Sequence, residues 1–518
     1  MRVLDSPKIV GDDLGPKAPW VIDGPKGRRA EREAIVVTAY ETRSARIRQR
    51  LDHPVIDSDG HLIELIPMFV DYLKQAGGHE IADRYVKEKD NWRYFRLSEA
   101  ERRDDWVSRP AWWPTPAKNT LDRATVSLPK LLHERMDEIG LDYAVLYPSL
   151  GLALPSLNDE EMRRVACRAL NTLNADVYRE YGDRMTPAAA IPMHTPQEAI
   201  EALEHAVNVA GLKVVMLPGY VRRPLPKAQR EYPGLAGVAD RLDVFGIDSD
   251  YDYDAVWAKC LELKVTPTFH SGGQGWGSRR SISNYVYNHI GSFAAAGEAT
   301  CKALFMGGVT RRFPNLRFAF LEGGVAWGCS LYSDMIAHWE KRNGKSIDNY
   351  NPSNLDTDLF VDLVKRYGNA LATQLLDEIR EVAERGLPGP DVLDEWAACG
   401  IEKVEDIYDL FVPRFFFGCE ADDVMNSIAF NDRLNPLGAR LGAVLSSDIG
   451  HWDVPDLREV LAEAYELVEK GLMSDQDFRD FAFTNPVELW TRGNPDFFKD
   501  TVVEQDVDKV LVAASVRS

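Results

Sequence analysis

Short runs of apolar residues, separated by longer stretches of helical periodicity, recur along the chain after about residue 50. Continuous apolar runs of this length are typical of strands that are covered on both faces, as in parallel sheets. Amphipathic stretches follow several of the runs, for example at 196–209 and 454–470, so strands and helices alternate. Eight strand–helix units predict a closed (β/α)8 TIM barrel. The predicted strands are residues 55–59, 143–148, 187–193, 213–217, 266–270, 316–321, 415–418 and 443–447.

Two connections are too long for simple crossovers. Insertions are predicted at about 65–135, after strand one, and at about 339–410, after strand six. The first is rich in tryptophan and proline, the second is mostly helical, and such insertions often cover the active-site face of a barrel. We assign 51–495 to the barrel, 1–50 to an N-terminal arm and 496–518 to a C-terminal tail. The charged arm suggests a homodimer, although a surface helix explains it equally well.

Charge and composition limit the kinds of molecule that we expect this protein to bind. The 518 residues include 81 acidic and 61 basic side chains, which gives a formal net charge of −20. A field of that sign repels phosphate backbones and anionic bilayers, so we expect a small-molecule substrate and neither nucleic acid nor membrane as partner. The chain has no apolar run long enough to span a bilayer. The six cysteines form no CxxC pair, a pattern that favours reduced thiols and a cytoplasmic location.

Polar residues at the predicted strand ends indicate a metal site. The carboxyl ends of barrel strands meet at one mouth, where active sites lie. Asp59 and His61, two apart at the end of strand one, can point to the same side and chelate one ion. Histidines and carboxylates together suit a divalent cation. The candidates at the other strand ends are His270 after strand five, Glu322 after strand six, Glu420, Asp422 and Asp423 after strand seven, and Asp448 and His451 after strand eight.

These residues resemble the amidohydrolase superfamily, in the branch that contains aminocarboxymuconate-semialdehyde decarboxylase. The Asp59-Gly60-His61 step is similar to the family's metal-binding His-x-His, and the likeness continues through 270–272, 312–317 and Ser447-Asp448. It covers about 55–490. The resemblance implies that Asp59, His61, His270 and Asp448 bind a zinc, iron or manganese ion. It also implies that Asp448 can act as the base.

The chain departs from this branch at strand six. The decarboxylases carry a catalytic histidine in a His-Gly-Gly run, and Glu322 stands in its place. With Glu64, Glu420 and Asp423, this residue would crowd negative charge at the mouth, which a second divalent ion would neutralise. Placement at a helix N-terminus explains Glu64 and Glu322 equally well.

Five residues are candidates for substrate contacts or proton transfer. His289, between strands five and six, can replace the missing histidine or cap a helix, and His451 can orient a ligand or carry a proton. Either can stabilise an oxyanion or protonate a leaving group. Trp112 and Trp113 suggest a pocket for a bulky apolar or aromatic substrate, although tryptophans more often lie in the core. Arg222 can bind a substrate carboxylate, but a solvated loop explains it as well.

We therefore expect a metal-dependent hydrolase that cleaves an amide, ester or thioester with metal-activated water. In this reading Asp448 or Glu322 takes the proton. The alternative is non-oxidative decarboxylation of an aromatic or unsaturated acid. A third reading, a barrel that serves only in binding, leaves the set of histidines and aspartates at the strand ends unexplained.

Overall fold

The computed structural model describes residues 42–90, 97–111, 115–235, 239–385 and 392–517. Eight parallel strands pair in the order β1-β2-β3-β4-β7-β8-β9-β10, and a separate antiparallel hairpin pairs β5 with β6. The strands are β1 Ile56–Leu62, β2 Tyr143–Pro148, β3 Met185–Ala190, β4 Val214–Leu217, β5 Val221–Pro224, β6 Asp240–Asp243, β7 Pro267–Phe269, β8 Phe318–Phe320, β9 Phe415–Cys419 and β10 Gly442–Leu445.

The prediction of a (β/α)8 barrel is confirmed. Each predicted strand overlaps one barrel strand, but strand one extends beyond its predicted end at 59 to Leu62. The β5–β6 hairpin was not predicted, because its first strand begins only four residues after β4 ends and its residues alternate between buried and exposed.

The connection between the first and last strands runs through the loop after β10. The backbone N–H of Asp448 donates to the carbonyl oxygen of Asp59 at 2.9 Å, and the N–H of His61 donates to the carbonyl of Ile449 at 2.8 Å. These bonds join β1 to the end of β10 at the carboxyl side of the sheet. The barrel is therefore drawn together where the predicted site residues lie.

Helices connect the barrel strands, and several begin at a side-chain cap. Asp159 accepts a hydrogen bond from the N–H of Met162 at 2.9 Å, and Thr195 caps the next helix. The longer helices are Arg43–Arg50, Ile66–Asp90 (interrupted at Gly78), Pro129–Ile139, Glu160–Tyr178, Pro196–Glu204, Asp254–Glu262, Ser292–Met306, Ala326–Arg342, Thr357–Tyr367, Leu376–Arg385, Val404–Phe411, Val460–Glu469 and Glu504–Arg517. The shorter ones are Glu99–Asp105, Thr120–Thr125, Pro226–Glu231, Tyr285–His289, Val309–Arg312, Ala370–Gln374, Asp475–Arg479 and Asn485–Thr491.

The core consists of two layers, because strand residues alternate between the barrel interior and the helices. On β2, Tyr143, Val145 and Tyr147 belong to one buried cluster, and Ala144 and Leu146 belong to the other. The hydroxyl of Tyr147 donates to Thr268 on β7 at 3.1 Å, so this face points into the barrel. Each strand therefore contributes to both layers.

The first insertion reaches the barrel mouth. The N–H of Arg109 donates to the carbonyl of Ser281 at 2.9 Å, and the side chain of Asn288 donates to the carbonyl of Arg109 at 3.1 Å. Both partners lie in the segment after β7, next to His289. The insertion thus contacts the segment that carries one of the predicted site residues.

The two chain ends that were assigned outside the barrel pack against it in their described parts. In helix Arg43–Arg50, the hydroxyl of Ser44 donates to the carbonyl of Arg458, and Ile47 is buried. At the other end Phe497 is buried, and its carbonyl accepts a hydrogen bond from Lys213 at 2.6 Å. The boundaries at 50 and 496 remain predictions, and residues 1–41 lie outside the described part.

Two further observations bear on the environment of the chain. Among the described residues, no helix has both the length and the apolar character needed to cross a bilayer. All six cysteines are buried and unpaired. The cytoplasmic location and the homodimer stay predictions.

A buried ion pair at the end of the first insertion is joined to the segment after β10 by a hydrogen bond to Asp122. Arg135 and Asp122 are 1% and 3% exposed, and Asp122 also accepts a hydrogen bond from the N–H of Leu457. We expect Asp122→Ala to lower the free energy of unfolding by about 1–3 kcal/mol, because the buried Arg135 guanidinium keeps Glu138 but loses Asp122, and the N–H of Leu457 loses its acceptor. Urea denaturation measures the change. The control Glu99→Ala, which breaks a pair that is 61% and 71% exposed, should cost less than about 1 kcal/mol; equal losses in the two variants would contradict this role.

Candidate metal centre

Five side chains from the strand ends converge at the mouth of the barrel. The Nε2 atoms of His61 and His270 lie 3.1 Å apart. Glu322 Oε2 lies 3.1 Å from His270 Nε2, and Asp448 Oδ1 lies 3.5 Å from His61 Nε2. Asp59 Oδ1 lies 3.7 Å and 3.8 Å from the same two nitrogens. The structure therefore brings together four strand ends: those of β1, β7, β8 and β10.

Asp57 fixes the relative position of the two strands that supply three of these side chains. It accepts hydrogen bonds from the backbone N–H of Ser447, from the Ser447 hydroxyl and from the N–H of Asp59. Burial raises the pKa of Asp57 to about 6, and the hydrogen bonds from Ser447 oppose that rise. Asp57 is therefore a positioning residue that holds β1 against the segment that carries Asp448.

Two glycines allow the close approach of backbone and ligands. A Cβ atom at Gly60, between Asp59 and His61, would lie 2.7 Å from Asp57 Oδ2. Gly450 has a φ of 101°, and a Cβ there would lie 3.0 Å from the His61 carbonyl oxygen. Larger residues at either position would push the first strand away from the last.

Two of the converging residues have left-handed backbone conformations. The φ angles of Glu322 and Asp448 are 58° and 51°, which non-glycine residues adopt at a cost on the order of 1–3 kcal/mol each. Glu322 lies two residues after the end of β8, and Asp448 lies three residues after the end of β10. The surrounding contacts hold the backbone of these two residues in an unfavourable conformation, which places their carboxylates at the site. Such strain is common at functional sites.

The donor atoms fit a divalent cation. Neither carboxylate oxygen of Asp59, nor Asp448 Oδ2, nor Glu322 Oε2 meets a donor in hydrogen-bonding geometry among the described residues, although all three side chains are buried. An unpaired buried carboxylate costs several kcal/mol. A cation among these oxygens and the two Nε2 atoms removes that cost, and nitrogen and oxygen donors together suit zinc, iron or manganese.

The electrostatics of the site favour binding of a cation. Burial, followed by the charge of Asp448, raises the pKa of Asp59 and of Glu322 well above the usual value of a carboxyl group. Burial lowers the pKa of His270 to about 3 and that of His61 far below its usual value. Neutral imidazoles are the form that binds metals.

His451 completes the inner cluster. Its ring stacks on that of His61 with centroids 3.7 Å apart, and its Nδ1 lies 2.7 Å from Asp448 Oδ1. Burial alone would lower the pKa of His451, but Asp448 beside it raises the pKa above the ordinary value. Its Nε2 lies 3.4 Å from the Ser149 hydroxyl. His451 can therefore carry a proton next to the residues of the ligand set.

A cavity of about 300 Å³ opens beside this cluster. Four carboxylates line it, and its lining contains neither lysine nor arginine. Burial raises the pKa of Glu420 to about 8 and that of Asp453 to about 7, and Asp448 adds to both shifts. The cavity-lining side chains with ionisable groups are His289, Glu322, Glu420, Asp423 and Asp453, and the segments 290–294 and 323–324 complete the wall.

Some predicted site residues lie elsewhere. Glu64 accepts hydrogen bonds from the N–H of Leu150 at 3.1 and 3.2 Å and is not among the groups whose donor atoms converge. Glu64 lies half-buried two residues after β1 ends, where burial raises its pKa to about 8 and the nearby His451 opposes that rise; it does not join the ligand set in this structure. Arg222 is an exposed residue of the β5–β6 hairpin and does not line the cavity. Trp112 and Trp113 lie outside the described residues.

Asp453 was not identified from the sequence. Nor were two aromatic residues beside His289, Phe293 and Trp452, which together are called the aromatic wall. His289, Glu322 and Asp453 each offer a donor atom within 4.8 Å of the others. The rings of Phe293 and Trp452 stand 5.7 Å and 5.4 Å from that of His289. The spacing of acidic and histidine residues at 448, 451 and 453 was the available signal, because a tight turn after a strand returns alternate side chains to the mouth.

The fold and this site define a barrel of the metal-binding type, and the comparisons identify the family. The family model described as Amidohydrolase matches residues 56–346, and the chain belongs to this family. The resemblance inferred from the strand-end motifs is confirmed. A comparison with curated proteins finds no match.

Solved structures with a similar fold include two decarboxylases. A 2,6-dihydroxybenzoate decarboxylase from Rhizobium is 14% identical, with a TM-score of 0.45 over 85% of this chain and 98% of that chain. A dihydroxybenzoic acid decarboxylase from Polaromonas sp. JS666, with bound manganese and the inhibitor 2-nitroresorcinol, is 14% identical, with a TM-score of 0.49 over 86% and 99%. An amidohydrolase from Mycobacterium avium subsp. paratuberculosis K-10 is 16% identical, with a TM-score of 0.48 over 85% and 100%.

Metal content tests the ligand set. We expect purified protein to bind a divalent ion and His270→Ala to bind it about 100-fold or more weakly, because the ring supplies one of two converging Nε2 atoms. Elemental analysis after dialysis against a chelator series measures the retained metal. The control His338→Ala, at an exposed helical position, should retain the wild-type content. Equal metal content in the two variants would remove His270 from the site.

Proposed function

We propose that this amidohydrolase-family protein is a metal-dependent enzyme that removes the carboxyl group of an aromatic or unsaturated acid as carbon dioxide. The observation that carries the proposal is the position of His451, whose Nδ1 lies 2.7 Å from Asp448 and 4.0 Å from Glu322. The decarboxylases that the chain resembles carry a histidine at the position of Glu322. His451 supplies a protonatable imidazole beside the same ligand set.

The four residues Asp59, His61, His270 and Asp448 would hold the metal ion. A divalent ion there supplies a positive charge that binds the oxygens of an acid and withdraws electron density from the bond to be broken. Asp57 keeps this set in register by its hydrogen bonds to Ser447. None of the four side chains is more than 2% exposed, so the protein excludes water from them.

His451 is the proposed proton donor. When the bond between the ring carbon and the carboxylate breaks, its electron pair stays on the ring carbon and carbon dioxide leaves. A proton from His451 then forms the new C–H bond, and the imidazole regains a proton from solvent. The adjacent Asp448 carboxylate holds the charged imidazole in place before the transfer.

The aromatic wall supports a ring-bearing substrate. Phe293 lines the cavity, and its ring centroid lies 5.3 Å from that of His270 in an edge-to-face arrangement. Tyr285 and Trp452 flank His289 at 5.3 and 5.4 Å. Aromatic rings bind flat unsaturated substrates by offset stacking and edge contacts, worth about 0.5–1.5 kcal/mol each beyond burial.

A second candidate is hydrolysis of an amide, ester or thioester. Glu322 favours it, because Oε2 has no hydrogen-bond donor and lies beside the ligand set, where a carboxylate can take a proton from water. The two reactions differ in product. Decarboxylation consumes one proton and releases carbon dioxide, whereas hydrolysis consumes water and yields two fragments.

Reaction in D2O separates these functions. Manganese-loaded protein is incubated with a panel of hydroxybenzoic and cinnamic acids, and with methyl esters and amides of the same acids. We expect carbon dioxide and one deuterium at the vacated carbon from at least one acid, detected by mass spectrometry and NMR. Cleavage of esters or amides without carbon dioxide release would overturn decarboxylation in favour of hydrolysis.

The role of His451 gives a second test. We expect His451→Asn to lower kcat about 100-fold or more on the active acid, because general acid catalysis contributes typically 10²–10⁴-fold. Metal content should stay at the wild-type level, and the more alkaline arm of the pH–rate profile, where a proton-donating imidazole loses its proton, should flatten. A variant with wild-type kcat would show that another group donates the proton.

A further inference from the structure

The cavity beside the inner cluster has its own set of donor atoms. His289 lies after β7, Glu322 at the end of β8 and Asp453 after β10, and one ligand atom of each lies within 4.8 Å of the others. None of the three is among the four residues proposed to hold the first ion, and Glu322 links the two groups because its Oε2 lies 3.1 Å from His270 Nε2. The three elements therefore form a second convergence of nitrogen and oxygen ligands, on the outer side of Glu322.

An unpartnered, deeply buried carboxylate oxygen belongs to this set. Glu322 is 8% exposed, it lines the cavity, and its Oε2 has no hydrogen-bond donor among the described residues. Asp453 Oδ2 is also buried without a donor. Glu420 and Asp423 add two more carboxylates to the wall. A single ion held by the inner set lies next to Asp59, Asp448 and Glu322. It does not neutralise the negative charge of the other carboxylates in the cavity wall, Glu420, Asp423 and Asp453.

We propose that this cavity binds a second divalent cation, held by His289, Glu322 and Asp453, with Glu322 shared between the two ions. Three donor atoms within 4.8 Å of one another can surround an ion at the roughly 2.0–2.2 Å bond lengths of zinc or magnesium after shifts of well under 1 Å. The donor set has one nitrogen, carboxylate oxygens and no sulfur. It therefore selects manganese, zinc or iron(II) over soft ions such as copper(I).

The second ion also explains how an acid can enter the site. A carboxylate substrate that enters this cavity meets four carboxyl groups, whose ionised forms repel it, and neither lysine nor arginine in the lining. A divalent ion in the cavity offsets two of these charges and offers a further positive contact. This last step rests on the proposed function, whereas the donor geometry does not.

Manganese binding to metal-free protein tests the inference. Equilibrium dialysis with Mn²⁺ should give two ions per chain for the wild type and one for His289→Gln and for Asp453→Asn, with the second ion bound about 100-fold or more weakly in each. Asp422→Asn, at an exposed acidic residue of the β9 loop, is the matched control and should still bind two. Circular dichroism checks that each variant is folded.

Electron paramagnetic resonance gives an independent readout. Two Mn²⁺ ions that share the Glu322 carboxylate should show an exchange-coupled spectrum in the wild type. His289→Gln should show only the spectrum of an isolated ion. One ion per chain in the wild type, unchanged in His289→Gln and Asp453→Asn, would overturn the second site. Two ions in a protein that releases no carbon dioxide would uphold it and remove only the proposed function.

Discussion

The joint between the first and last strands of the barrel holds both the fold and the site. Asp448 donates its N–H to the Asp59 carbonyl, His61 donates its N–H to Ile449, and the Asp57 carboxylate binds Ser447 by its backbone and hydroxyl. These bonds draw together the ends of the sheet and place three proposed ligands, two from one strand and one from its neighbour, within reach of one ion. Loss of register here would separate the ligands even if the rest of the barrel stayed intact.

This joint creates an electrostatic cost that the protein alone does not offset. Asp57, Asp59 and Asp448 are each about 1% exposed or less, and Glu322 completes a group of buried carboxylates. Left-handed backbone at Asp448 and Glu322 adds strain to the same place. Metal binding is then coupled to the stability of the fold, because the ion neutralises charges that the folded chain has already brought together. The cavity beside the inner cluster adds further buried carboxyl groups, so the same electrostatic cost applies there.

Much of the inner site could be predicted from the sequence because barrel topology is a strong rule. A residue that follows an apolar strand lies at the mouth, so Asp59, His61, His270 and Asp448 could be grouped without knowledge of their distances. Glu64 was grouped with them for the same reason, but the strand runs further than its apolar run, and the side chain binds the Leu150 backbone instead.

The remaining features depend on loops, whose course the hydrophobic pattern does not record. Asp453 returns to the mouth through a tight turn, and β5, which carries Arg222, pairs with β6 in a half-buried hairpin separate from the barrel sheet. His289 could be named as a candidate from its place between two strands. Only the packing of its segment against Arg109 and the aromatic wall places it beside Glu322.

Anomalous X-ray diffraction from crystals grown with Mn²⁺ tests the inner metal site. We expect a strong manganese peak bonded to the Nε2 atoms of His61 and His270 and to the carboxylates of Asp59 and Asp448, at about the 2.0–2.2 Å typical of such bonds. The absence of any peak among these four side chains, with His61 Nε2 and His270 Nε2 still in direct contact, would contradict it.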